Sequence, residues 1–99
     1  MQGKKVTVLA RIKAKSGMEQ KIQEELLALV NPTRLEEGCI SYDLHQAFDD
    51  KALFVFYENW RSKEDLDKHM ATAHFQAFAA RANDILAEPV EITLLEMIS

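Results

Sequence analysis

Phe54-Val55-Phe56-Tyr57-Glu58-Asn59-Trp60-Arg61-Ser62 opens the stretch that decides the fold, and it runs on into His69-Met70-Ala71-Thr72-Ala73-His74-Phe75-Gln76-Ala77-Phe78. Its start has strand character, with Leu53, Val55 and Tyr57 alternating against Phe54 and Phe56. Large apolar side chains on both faces of one strand place it in the centre of a sheet. At Ser62 the pattern changes to a helix. Ser62 and Asp65 form an S-x-x-D capping box, in which the serine oxygen serves free N–H groups of the first turn. Residues 62–70 read as a short helix. Residues 73–87 read as a longer one, with Phe75, Phe78, Ala82, Ile85 and Leu86 as its buried stripe, stopped by Glu88-Pro89. Two of the three histidines, the one tryptophan and one of the two tyrosines fall in this quarter of the chain, so groups that move protons or stack on a ring are concentrated there.

Upstream, residues 39–47 alternate, with Ile40, Tyr42 and Leu44 on one face and Ser41, Asp43 and His45 on the other. Asp49-Asp50-Lys51 is the polar turn that joins this strand to residues 52–60 as a hairpin. Residues 4–15 are a further strand: Val6, Val8, Ala10 and Ile12 face one way, Thr7, Arg11 and Lys13 the other, with Leu9 breaking the polar side. Ser16-Gly17-Met18-Glu19 is an S-x-x-E capping box, and behind it Ile22, Leu26, Leu29 and Val30 recur at helical spacing. Asn31-Pro32 either kinks this helix or restarts it with Asn31 as cap, and Gly38 is expected to end it in the left-handed conformation. Residues 90–98 form the last strand, with Val90, Ile92 and Leu94 against Leu95 and Met97.

The order is β-α-β-β-α-β with the second α broken. That is the α+β, ferredoxin-like plan, in which two helical layers cover one face of a four-stranded antiparallel sheet. The other face would be solvated in a monomer. Apolar residues on both sides of the third and fourth strands require a cover, and a second copy of the sheet is the expected one, giving a homodimer.

Ninety-nine residues make a single domain, 1–99. The lone cysteine, Cys39, cannot form an internal disulfide and fits a reducing compartment. A net charge of −4 with scattered basic residues argues against nucleic acid. No apolar run reaches the ~18 residues of a membrane span, and Met1-Gln2-Gly3-Lys4-Lys5 lacks a signal-peptide apolar core. A cytoplasmic domain without membrane contact is expected.

Three marks, Glu36-Glu37-Gly38-Cys39-Ile40-Ser41-Tyr42-Asp43-Leu44, Phe56-Tyr57-Glu58-Asn59-Trp60 and His69-Met70-Ala71-Thr72-Ala73-His74-Phe75, taken in order, resemble the antibiotic biosynthesis monooxygenase superfamily of dimeric α/β barrels. The resemblance covers nearly the whole chain. It implies pairing of two sheets into a barrel. It also implies one of several activities: cofactor-independent oxygenation of phenols and quinols, haem degradation, or isomerisation in a signalling-molecule degradation pathway. Haem-degrading relatives carry an Asn, a Trp and an axial His at positions that match Ala10, His69 and Ala79, so the resemblance argues against haem.

His69 is the first candidate for chemistry, because an imidazole titrates near neutrality and can take a phenol proton. Its alternative is a helix C-terminal cap. His74 can share a site with His69 only if the helix breaks near Ala71-Thr72, with Thr72 as the new N-cap; otherwise it packs at the joint and bonds backbone there. Tyr57 and Glu58 complete the catalytic candidates; Trp60, Tyr42, His74 and Phe75 are candidates for substrate binding, each with core packing or a wet strand end as the plain alternative. His45, His69 and His74 show no ligand spacing, with no two of them four residues apart, so no metal is expected. The resulting expectation is a cofactor-free monooxygenase using O₂ on a small aromatic or quinol-type substrate. The alternatives are an isomerase or lyase of a small polar metabolite, and a non-catalytic small-molecule-binding or stress protein.

Overall fold

Alternation and capping resolve into seven elements in the structure, a computed structural model that describes residues 4–99. The expectation about Met1-Gln2-Gly3 lies outside the described residues. In chain order the elements are β1 (Val6–Lys13), α1 (Glu19–Arg34), β2 (Cys39–Gln46), β3 (Leu53–Trp60), α2 (Lys63–Met70), α3 (Ala73–Ile85) and β4 (Glu91–Leu95). The strands form one antiparallel sheet in the order β2-β3-β1-β4. The doubly apolar strand β3 is therefore central, as its composition requires.

Register decides which side chains meet the helices. Val8 pairs with Glu58, Ala10 with Phe56 and Ile12 with Phe54, while across β2 Tyr42 pairs with Glu58 and Leu44 with Phe56. This face is closed by Ile22, Leu26 and Leu29 of α1, Leu66 of α2 and Phe78 and Ile85 of α3, which are buried with it in one core. Among the described residues no helix lies over the opposite face. Leu9, Tyr57 and Leu95 stand at about two-fifths exposure there, 39%, 40% and 42%. Beside them a polar chain crosses three strands: Thr7 Oγ1 donates to Asn59 Oδ1 at 2.6 Å, and Asn59 Nδ2 to Ser41 Oγ at 3.0 Å.

Three local expectations change, and a fourth is narrowed. Met18, not Ser16, takes the N-cap of α1, without a side-chain cap bond. Gly17 adopts φ +88 there, and Met18 N donates to Lys15 O, so a glycine turn starts the helix in place of the capping box. The helix then runs through Pro32 without restarting. The ring leaves the Ala28 carbonyl without its helical donor, and burial of Leu29 and Thr33 on either side holds the last turns in place. Gly38 does not take a left-handed conformation. Its requirement is space: a Cβ there would lie 2.2 Å from Asp65 Cγ. Ile40 leaves the Tyr42 face because the β2–β3 register shifts between Cys39 and Ser41; it is exposed as the extra residue of a bulge.

The two expected caps of the broken helix form. Ser62 Oγ accepts from Asp65 N at 3.2 Å and donates to the Asp65 carboxylate at 3.0 Å. Thr72 Oγ1 accepts from Phe75 N and donates to His69 O, which turns the chain between α2 and α3. No helix among the described residues is long and apolar enough to cross a membrane.

Candidate active site

Between the sheet and the helices lies a cavity of about 210 Å³. Its wall runs from Val8 and Ala10 on β1 to Phe75, Phe78 and Ala79 on α3. Among the described residues its only polar linings are Tyr42, Glu58 and His69. Ala10 and Ala79, the positions that match haem-branch residues, present methyl groups to it.

His69 sits in the last turn of α2, 2% exposed. Its ring lies 4.7 Å from Trp60, 5.2 Å from Phe75 and 5.6 Å from Tyr42, centroid to centroid. Nδ1 is 2.8 Å from Glu36 Oε2. A carboxylate can only accept, so Nδ1 carries the proton and Nε2 is left as the ring's acceptor. Burial lowers the pKa of His69, and the Glu36 hydrogen bond and charge only partly oppose this. The result is an oriented, neutral imidazole at the edge of an apolar cavity.

Glu58 is 4% exposed on the same sheet face. Burial pushes its carboxyl up to about 7, against the opposing effect of the Trp60 hydrogen bond and with a smaller push from Glu36. Trp60 Nε1 donates to Glu58 Oε1 at 2.9 Å. Trp60 is fully buried behind Glu58 and His69 and does not line the cavity, so it holds these two groups from behind. Tyr42 stacks on Phe56 at 4.3 Å, and burial raises its hydroxyl far above the usual phenol range, leaving it a donor.

Tyr57 does not join this group. Strand alternation puts it on the uncovered face, paired with Leu9. The same alternation, read one residue further, assigns Glu58 and Trp60 to the Phe54–Phe56 face. His74 does meet His69, through the break at Thr72, yet it bonds a side chain and not backbone: His74 Nε2 lies 2.6 Å from Glu36 Oε2. His74 and Glu36 lie outside the cavity wall. Glu36 was not singled out from the sequence, because Glu36-Glu37-Gly38 reads as a helix end and nothing local ties it to residues more than thirty positions away. The spacing argument against a metal does not hold in three dimensions either, since Glu36, His69 and His74 offer ligand atoms all within 4.8 Å of one another. Cys39 is half-buried, with burial pushing its thiol up to about 11, which leaves it unreactive.

The comparisons with known proteins agree with this fold. The sequence profile of the family described as antibiotic biosynthesis monooxygenase matches residues 5–81. The Mycobacterium tuberculosis protein named "Putative monooxygenase Rv0793" is 36% identical over 90 residues, 91% of this chain and 88% of that protein. The Bacillus subtilis protein named "Putative monooxygenase YcnE" is 32% identical over 92 residues, 93% of this chain and 97% of that one. The crystal structure of PA3566 from Pseudomonas aeruginosa superposes with a TM-score of 0.93 at 36% identity, covering 100% of this chain and 99% of that one. The matched span runs from β1 into α3 and contains both the broken helix and the cavity's three polar groups; with that agreement, the chain belongs to the antibiotic biosynthesis monooxygenase family.

Proposed function

We propose that this chain is a cofactor-independent monooxygenase of a small phenol or quinol, with His69 as the general base. The observation that carries the reading is the neutral imidazole of His69, fixed by Glu36 through Nδ1, on the wall of a cavity whose other linings, apart from Tyr42 and Glu58, are apolar. A dry cavity of ~150 Å³ already holds benzene, so about 210 Å³ suits one ring or two fused rings.

His69 Nε2 takes the phenol proton, which makes the substrate an electron donor. The anion passes one electron to O₂, and the two radicals combine at a ring carbon as a peroxide. Loss of water from that peroxide leaves a new carbonyl, so one O₂ yields one quinone oxygen and one water. The protein contributes orientation, a base and exclusion of water. Glu58, part-protonated near neutrality, and the Tyr42 hydroxyl are the groups able to hold the substrate's oxygens. Tyr57, on the other sheet face, has no part in this step.

The working unit in this reading is a homodimer, supported by the uncovered face that carries Leu9, Tyr57 and Leu95. A reducing cytoplasmic location fits the unpaired thiol of Cys39. Isomerisation of a polar metabolite is disfavoured by the apolar wall. A thermal-shift screen of one- and two-ring quinols, followed by oxygen-electrode assays on the hits, tests the reading. One O₂ consumed per quinone formed, with no H₂O₂ released and one atom of ¹⁸O₂ in the product, supports it. Quinols that stabilise the protein without any oxygen uptake point to a binding protein instead.

A further inference from the structure

Glu36, His69 and His74 come from three places: the loop after α1, the last turn of α2 and the first turn of α3. The Thr72 cap turns the chain so that both imidazoles converge on one carboxylate oxygen. From this convergence we infer a site for a divalent transition ion, of zinc type, whose occupation reverses the hydrogen-bonding role that His69 presents to the cavity.

Two imidazoles and a carboxylate are a zinc-type donor set, with ligand bonds of ~2.0–2.2 Å. The present separations, 2.8 Å and 2.6 Å to Glu36 Oε2, are those of hydrogen bonds. Ligands around such an ion stand roughly 3–3.5 Å apart, so a small opening of the cluster admits one. Glu36 lies on a short loop that can supply this movement. Access is from the outer side: the side chain of His74 is 24% exposed and that of Glu36 15%, against 3% for His69. Only His69 belongs to both this cluster and the cavity.

That shared residue gives the site its consequence. Without metal, Nδ1 donates to Glu36 and Nε2 is a free acceptor. An ion bound at Nδ1 takes that lone pair, and the ring proton moves to Nε2. No proton is lost from the ring; its tautomer changes. His69 then faces the cavity as a donor and cannot accept a proton from substrate. The ion site stands on the cluster geometry alone, whereas its inhibitory effect rests on His69 being the base, as proposed above.

Full-length protein, stripped with EDTA and dialysed, would be titrated with Zn²⁺ by calorimetry, and the His69 ring nitrogens followed by long-range ¹H–¹⁵N NMR. The expected result is one Zn²⁺ per chain with His69 passing from the Nδ1–H to the Nε2–H tautomer. His74→Gln, which keeps an N–H donor for Glu36 but is a poor ligand, should weaken binding at least about tenfold. His74→Ala serves if the glutamine variant does not fold. Absence of saturable binding, unchanged affinity in the His74 variant, or a zinc-bound protein with His69 still in its Nδ1–H form overturns the inference. Oxygen uptake separates the two proposals: zinc that binds and switches the tautomer without slowing quinol turnover leaves the ion site standing and removes His69 as the base.

Discussion

Trp60 Nε1 donates to Glu58 Oε1 at 2.9 Å, from one residue of β3 to another two positions earlier on the same sheet face. Among the described residues this is the one side-chain hydrogen bond to a carboxyl that faces the cavity with Tyr42 and His69 amid apolar side chains. It does not offset the loss of water, and Glu58 stays near 7.

A pH dependence of stability follows. The folded pKa of Glu58 lies above its ordinary value, so the folded state holds the proton more tightly than the unfolded chain does. The stability contributed is fully present below the unfolded pKa and is lost as pH rises through about 7. Over that window the loss is of the order of 3 kcal/mol, at ~1.4 kcal/mol per pKa unit. His69, with a lowered pKa, acts in the opposite sense: its contribution is lost as pH falls below the unfolded imidazole value. Comparing Glu58→Gln with the parent isolates the Glu58 effect. The stability difference from urea unfolding, variant minus parent, should increase by a few kcal/mol from pH 5 to pH 8. A difference that stays flat with pH would mean that Glu58 is solvated.

Two glycines should respond differently to alanine. Gly17 has open space around it but φ +88, so Gly17→Ala costs about 1–2 kcal/mol through backbone strain alone. Gly38 has ordinary φ, yet the Asp65 side chain leaves no room for a methyl group. Gly38→Ala should cost roughly 1–3 kcal/mol and displace the start of α2, which carries His69. Chemical denaturation of both variants checks the stabilities. The displacement is read from the ring-current-shifted NMR signals of His69, which Trp60 and Phe75 flank.

Much of this architecture was legible in the sequence, and the reasons are local. Alternation, the Ser62 cap and the Thr72 cap act within a few residues, so the succession of strands and helices along the chain and the helix break can be read directly. At Pro32 the restart is excluded because burial of Leu29 and Thr33 outweighs the local propensity against a helix there. Within the site, the fold brings His69, Phe75 and Tyr42 together. Glu36 was invisible because its partners are 33 and 38 residues away. Tyr57 stands apart from the site because its parity on β3 sets it on the face opposite Phe54 and Phe56.

Assembly offers a separate test. Leu9, Tyr57 and Leu95 on the open sheet face should be covered by a second copy. Sedimentation equilibrium at micromolar concentration should give twice the chain mass, and Leu9→Lys combined with Leu95→Lys should shift it toward the monomer. A parent protein that sediments as a monomer contradicts the paired-sheet reading.

The central claim is that His69 removes a proton from a phenolic substrate in the cavity. Because His69 is buried and bonded to Glu36, its replacement also costs stability, so melting temperature alone cannot decide its role. The direct measurement is oxygen uptake with one active quinol by the parent and by His69→Gln, at a temperature where circular dichroism shows both folded. The account predicts turnover lower by about 10²–10⁴-fold in the variant, the range for loss of a general base. Turnover within a few-fold of the parent would contradict it and confine His69 to a packing role beside Trp60.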